Sequence, residues 1–212
     1  MDNYIYRLAQ ITIKSLLSSS LQSEVYGLDN IPKKGGFILA ANHISYIDPP
    51  ALGCFLKRKP YYFARDSLFK KQFFSWLLSK LKSIPVKRNS RSEIIAIKKS
   101  IKILKDNQGL VFFPEGKRSL KGQLQKAKLG IGLIACKTQV PVIPAKIFGS
   151  NNVLKKNKFF FDLTHTVDIV YGSPIYPIIY DNNKLSKMRY QNATNIIMKS
   201  IQNLSLLLPP VI

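Results

Sequence analysis

The chain has 212 residues, enough for one full hydrophobic core, and a hydrophobic fraction of 46% excludes a disordered polypeptide. Its 33 Lys and Arg against 11 Asp and Glu leave a net charge of +22, which attracts a polyanion: nucleic acid, an anionic membrane surface or an acidic carrier protein. Cys54 and Cys136 are far apart and His43 and His165 are the only histidines, so neither a disulfide framework nor a multi-histidine metal centre is expected, and the two thiols read as ordinary buried side chains.

Residues 4–21 place Ile5, Leu8, Thr12 and Leu16 along one helical stripe interrupted by Arg7, Gln10 and Lys14. That pattern predicts an amphipathic, membrane-associating helix over residues 1–22, with residues 23–212 forming one domain behind it. No run of about 18 apolar residues occurs, and the start lacks the basic, apolar and small-residue zones of a secretory signal. An intracellular chain without a conventional spanning helix is therefore expected.

After a turn over 29–36, GFILAAN reads as a short buried strand that leads straight into NHISYID. Asp48 followed by Pro49 and Pro50 predicts a helix start with Asp48 as N-cap and a helix over 49–57. PYYFA reads as a second strand. In FKKQFFSWLLSKLK, residues 69–82, lysines alternate with Phe73, Phe74, Trp76, Leu77 and Leu78, which suits either a membrane-interface helix or ordinary core packing. The clearest helix covers 91–106, with Ser90 and Glu93 as a capping box, Ile94, Ile97, Ile101 and Leu104 as its buried face, and Gly109 as its stop.

LVFFP is again a buried strand, halted by Pro114. KLGIGLIACK reads as a helix, VPVIPAK as a strand, HTVDIVYG as a strand with one solvated face that carries His165, and 186–207 as a closing helix. The order predicts an α/β fold: a single domain with a mostly parallel or mixed central sheet flanked by helices and preceded by the N-terminal amphipathic helix. Functional groups in such folds gather where strands end.

Two strand ends carry unusual polar clusters, NHISYID and EGKRS. In the first, Asp48 either caps the helix that follows or orients the His43 imidazole for general-base chemistry, and the spacing permits both. In the second, the charged residues either solvate a turn or line the same crevice.

Further blocks bear on the choice. NHISYID, IPVKR ending at Arg88, FPEGKRS and VPVIP follow one another over about residues 24–147, and in this the chain resembles the glycerolipid acyltransferases, most closely the 1-acylglycerol-3-phosphate acyltransferases. The resemblance implies that His43 is the general base and Asp48 its orienting partner. It also implies that Arg88, Glu115, Gly116, Arg118 and Ser119 belong to the acceptor site, and that Lys128 matches a K-x-G segment of the family. Lys117 departs from the small hydroxyl residue usual at its place. On this basis Ser45 is read as structural and no nucleophile is assigned, because a substrate hydroxyl can attack an acyl thioester directly.

The implied reaction moves a fatty acyl group from acyl-CoA or acyl-ACP to lysophosphatidic acid, with no bound cofactor and no metal. Its setting is an anionic membrane surface, with peripheral or shallow insertion on the cytoplasmic face. The rival reading from another class is a basic nucleic-acid-binding protein. It has the charge in its favour but none of the helix-turn-helix, zinc-finger or aromatic RNA-binding signatures, so no nucleic-acid partner is expected. A non-catalytic lipid-binding protein of the same fold is a third reading.

Overall fold

The structure is a computed structural model and describes residues 2–87, 90–119, 123–154, 160–183 and 185–206. In chain order, α1 (Asp2–Ser15) runs through a π-helical turn into β1 (Val25–Tyr26), β2 (Phe37–Ala41) and α2 (Asp48–Cys54). Next come β3 (Tyr62–Arg65), α3 (Gln72–Lys80), β4 (Ser83–Val86), α4 (Ser90–Lys105) and β5 (Gly109–Phe112). The chain closes with α5 (Gly130–Thr138), β6 (Val142–Phe148), α6 (Ser150–Val153), β7 (Asp168–Tyr171), α7 (Pro177–Tyr180) and α8 (Arg189–Asn203).

Five strands form one sheet in the order β1-β7-β6-β2-β5, parallel throughout except for the antiparallel β6–β7 pair. β3 and β4 make a separate parallel pair, tied to the main sheet where Tyr61 bridges to Leu110. The mixed α/β fold expected from the order of elements is the fold observed.

β2 lies between β6 and β5, and all five of its residues are buried. Because successive side chains point to opposite faces, Phe37, Leu39 and Ala41 enter one core with Leu52 and Ile143, while Ile38 and Ala40 enter the other with Leu104 and Ile134. A fully buried Leu or Ile contributes about 2 kcal/mol from apolar burial alone. A strand apolar on both faces is therefore pulled to the middle of the sheet, and its end projects a loop over the centre of the molecule. On the second face α8 lies close against α5. At Gly132 a Cβ would fall 2.0 Å from the Tyr190 carbonyl oxygen, so this contact requires glycine.

Several local expectations are corrected. In α1 the buried residues are Tyr6 and, past its end, Leu17, with Ile13 partly covered; Tyr4, Leu8 and Ile11 form a separate exposed apolar stripe. α1 has apolar residues on two faces, and packing against α2 selects the one that includes Tyr6. α4 shows a similar rotation: Ser100, Ile103 and Leu104 are buried while Ile94 and Ile95 are exposed.

α4 ends before Gly109. Asn107 takes the left-handed conformation at φ 58°, which asparagine tolerates, and Gly109 instead opens β5. The side chain of Ser90, and with it the expected capping box, lies outside the described residues; the Glu93 carboxylate pairs with Lys128. β7 is buried on both faces through Ile169, Val170 and Tyr171. His165 lies in a bend before β7, not in the strand.

Burial raises the Cys54 thiol to about 12 and the Cys136 thiol to about 11, so both stay protonated and unreactive near neutrality. No helix among the described residues is long and apolar enough to cross a membrane.

Candidate active site

The site begins where β2 ends. Asn42 continues the ladder with its side chain: Nδ2 donates to the Ile147 carbonyl at 2.9 Å, and Oδ1 accepts from the Ile147 N–H at 2.8 Å. The strand is thereby fastened to β6 just before the chain turns out of the sheet at His43.

His43 is then fixed on every side but one. Its N–H donates to Glu115 Oε1 at 2.9 Å, its carbonyl accepts from the Ser119 N–H at 2.7 Å, and its ring stacks on Phe113 with centroids 4.2 Å apart. Nδ1 lies 2.8 Å from Asp48 Oδ2. That oxygen also accepts the Ile44 N–H at 2.6 Å and the Ser45 N–H at 2.7 Å, while Oδ1 accepts the Ser150 hydroxyl at 2.5 Å. A carboxylate serving as acceptor for all these groups makes Nδ1 the protonated nitrogen, which leaves the lone pair on Nε2. The His43 side chain keeps 19% of its surface in solvent and Asp48 keeps none.

The choice between helix cap and imidazole partner has a mixed outcome. Asp48 stands at the first position of α2, with Pro49 and Pro50 in the turn where a missing N–H does no harm, but its carboxylate caps no amide of α2. It turns backwards to the loop amides of Ile44 and Ser45 and to the imidazole. Ser45 donates its hydroxyl to the Leu154 carbonyl at 3.2 Å, which ties the same loop to the end of α6.

FPEGKRS meets this loop from β5. Glu115 accepts the His43 N–H with one oxygen and the Gln125 N–H with the other, at 2.9 Å each, so its carboxylate staples two strand-end loops together. Burial pushes its pKa above the ordinary carboxylate value, against the lowering effect of those two amide bonds. Gly116 makes the turn at φ 70°, the left-handed region that favours glycine, with its N–H on the Phe113 carbonyl at 3.0 Å.

Arg118 places its guanidinium 3.5 Å from the centroid of Tyr46, a residue of the His43–Asp48 loop, so a cation stands at the rim of the crevice. Ser119 is buried and contributes its amide to His43. Lys128 lies beside the Gly116 turn, its amide on the Pro114 carbonyl at 3.0 Å and its ammonium paired with Glu93 of α4. Arg88 lies outside the described residues.

Sequence reasoning passed over Asn42, Phe113, Gln125 and Ser150. Asn42 lies within NHISYID and Phe113 within FPEGKRS. Ser150 is 102 residues from Asp48, and nothing local in the chain announces it.

A profile of the acyltransferase family matches residues 22–148. The chain is 32% identical over 189 residues to the 1-acyl-sn-glycerol-3-phosphate acyltransferase of Borreliella burgdorferi, covering 88% of this chain and 73% of that one. With the chloroplastic 1-acyl-sn-glycerol-3-phosphate acyltransferase BAT2 of Brassica napus it shares 28% identity over 157 residues, which is 73% of this chain and 45% of the longer plant protein. The crystal structure of the 1-acyl-sn-glycerophosphate (LPA) acyltransferase PlsC from Thermotoga maritima superposes with a TM-score of 0.74 at 25% identity, over 98% of this chain and 83% of that one. The matched stretch holds His43, Asp48 and the whole FPEGKRS turn and exceeds half the residues, so the chain belongs to the acyltransferase family.

Proposed function

We propose that the protein transfers a fatty acyl group from an acyl-CoA or acyl-ACP thioester to the free hydroxyl of 1-acylglycerol 3-phosphate, giving phosphatidic acid. The observation that carries this reading is the His43–Asp48 pair at 2.8 Å, with the Asp48 side chain wholly buried and the His43 side chain keeping 19% of its surface in solvent. In the proposed reaction Nε2 takes the proton from the acceptor hydroxyl as its oxygen attacks the thioester carbonyl. The tetrahedral intermediate then collapses, the C–S bond breaks, and the imidazolium returns the proton to the departing thiolate. Asp48 stabilises the imidazolium between these events.

The acceptor phosphate is assigned to Arg118 at the crevice rim, with Arg88, Gly116 and Lys128 as further binding residues and Glu115 and Ser119 holding the loop. Arg118→Ala should raise KM for the phosphate-bearing acceptor with a smaller change in kcat; an unchanged KM would remove Arg118 from the site.

Residues 1–22 are proposed to rest on the cytoplasmic membrane face and residues 23–212 to perform the transfer. The exposed Tyr4, Leu8 and Ile11 of α1 and Phe73, Phe74 and Trp76 of α3 support this, because these apolar side chains stand beside basic residues, Arg7 and Lys14 in α1 and Lys70, Lys71 and Lys80 in and before α3. The deciding experiment supplies purified protein with lysophosphatidic acid, glycerol 3-phosphate or another lysophospholipid, each with both donors, and reads the products by mass spectrometry against His43→Ala. Phosphatidic acid as the main product supports the proposal; product from glycerol 3-phosphate alone, or equal product from His43→Ala, overturns it.

A further inference from the structure

Tyr46 stands between His43 and Asp48 in sequence, but its side chain takes no part in their network. Asp48 is bonded by the Ile44 and Ser45 amides, the His43 ring and the Ser150 hydroxyl, and Ser45 ties the loop down again on the Leu154 carbonyl. Ser45 and Ile47 are buried, whereas Tyr46 is 58% exposed. The loop is thus held without the Tyr46 ring, and the ring is free to act on what it touches.

It touches Arg118. The guanidinium carbon lies 3.5 Å from the ring centroid. Turned edge-on at that separation, a guanidinium would bring a nitrogen about 1.3 Å closer than its carbon, to roughly 2 Å from the ring and well inside van der Waals contact. Only a flat, face-on stack fits. The negative face of the ring then lies against the cation, and the N–H donors, which lie in the guanidinium plane, point past the rim of the ring. Among the described residues Arg118 has no carboxylate partner.

The backbones that carry the two side chains are already joined. Gly116 turns the chain in the left-handed region, and the Ser119 N–H donates to the His43 carbonyl at 2.7 Å, so the residue after Arg118 is bonded to the residue three before Tyr46. What remains to be set is the direction of the long Arg118 side chain, whose neighbour Lys117 is exposed and which lies too near the surface for the core to direct it. A long, rotamer-rich side chain loses much freedom when a ligand immobilises it. A stacked one has lost part of that freedom beforehand.

We propose that Tyr46 is a positioning residue for the acceptor: its ring holds the Arg118 guanidinium flat, so that the in-plane N–H donors are presented to the lysolipid phosphate in bidentate fashion. The phosphate anchor and the His43 imidazole are thereby mounted on one loop. This inference rests on the assignment of the acceptor phosphate to Arg118 made above. Stacking needs an aromatic face and not a hydroxyl, so phenylalanine or tryptophan should replace Tyr46 and an aliphatic residue should not.

The test titrates the full chain calorimetrically with 1-hexanoyl lysophosphatidic acid in the absence of donor, and then measures turnover. Tyr46→Ala should weaken binding about five-fold and Arg118→Ala at least ten-fold. The double variant should bind no more weakly than Arg118→Ala, because without the guanidinium the ring has nothing to hold. Tyr46→Phe and Tyr46→Trp should bind as the parent does. Tyr46→Leu, with similar bulk and no π face, should repeat the loss and covers the case in which alanine unsettles the loop. In turnover Tyr46→Ala should raise KM for the acceptor by a similar factor, with kcat and its pH profile as in the parent.

Additive losses in the double variant, or a loss in Tyr46→Phe equal to that in Tyr46→Ala, would overturn the stack. An equal loss of affinity for 1-hexanoylglycerol, which lacks the phosphate, would do the same, as would a fall in kcat at unchanged KM. Parental binding in Arg118→Ala would overturn the phosphate assignment and the proposal together, whereas parental binding in Tyr46→Ala alone would overturn only the positioning role.

Discussion

Asp48 and Asp181 are both buried, both saturated with hydrogen bonds, and they lie near opposite ends of the strands. Asp181 accepts from Arg189 Nε and from the Arg189 terminal nitrogen at 2.6 Å each, and from Gln139 Nε2 at 2.6 Å. The bonds from Arg189 hold its carboxyl below the ordinary range, and the guanidinium also reaches the Cys136 carbonyl, so the cluster locks the end of α5 to the start of α8. All of its carboxylate capacity is spent on structure. The Asp48 cluster is equally well bonded, yet it ends on an imidazole that keeps 19% of its side-chain surface in solvent. Burial and saturation occur in both clusters, so neither property distinguishes a proposed reaction centre from a structural lock; the imidazole at the end of the Asp48 network is what sets the two apart.

Removing that imidazole should have the largest effect. His43→Ala should lower kcat by about 10⁴-fold with the melting temperature little changed, measured by product formation and thermal unfolding. Asp48→Asn should cost about 10³-fold. The asparagine oxygen can still accept from Ile44, Ser45 and His43 while its amide turns to the Ser150 hydroxyl, so the loop survives and only the negative charge behind the imidazole is lost. Full activity in Asp48→Asn would mean that the carboxylate merely holds the loop.

Ser150→Ala should lower kcat about ten-fold and stability by about 1 kcal/mol with KM unchanged, because it frees Asp48 Oδ1 without touching substrate. A change confined to stability would remove Ser150 from the positioning of His43.

Glu115→Gln should lower kcat a few-fold, since an amide group can accept only one of the two N–H bonds that Glu115 receives. Its pH signature separates it from the others. Burial raises the folded-state pKa of Glu115, so the folded protein holds this proton more tightly than the unfolded chain, and stability from this group declines as pH rises from the ordinary glutamate value through the raised one. The variant should lack that decline in chemical denaturation series.

The smallest effect on turnover is expected at the other cluster. Arg189→Ala should leave kcat unchanged below its melting temperature but lower stability by about 2 kcal/mol. Because Asp181 has a depressed folded-state pKa, its contribution is present above the unfolded aspartate value and is lost as pH falls through the lowered one; the variant should lose that acid dependence. Lost turnover in a folded Arg189→Ala would break the contrast between the two aspartates.

Much of this was legible in the chain. GFILAA is apolar at every position, which suits a strand covered on both faces, and Pro49 and Pro50 marked where the next helix could begin. The motif blocks marked His43, Asp48 and the FPEGKRS turn. What escaped were the directions in which groups point. Glu115 looked like a crevice residue and spends its carboxylate on two backbone amides; Asp48 looked like a cap for α2 and bonds upstream. A residue type states which bonds it can make, and the neighbouring loop decides which of them it does make.

The sequence by itself determined the order of elements, the strand-end location of the polar clusters and the excess of positive charge. Those properties follow from periodicity and composition, which act over a few residues or over the whole chain. Only the tertiary structure decided that Ser150 reaches Asp48, that Glu115 bridges His43 and Gln125, and that α1 buries Tyr6. Each depends on elements far apart in sequence being packed together. Such contacts are selected by the shared core and leave no local pattern in the chain.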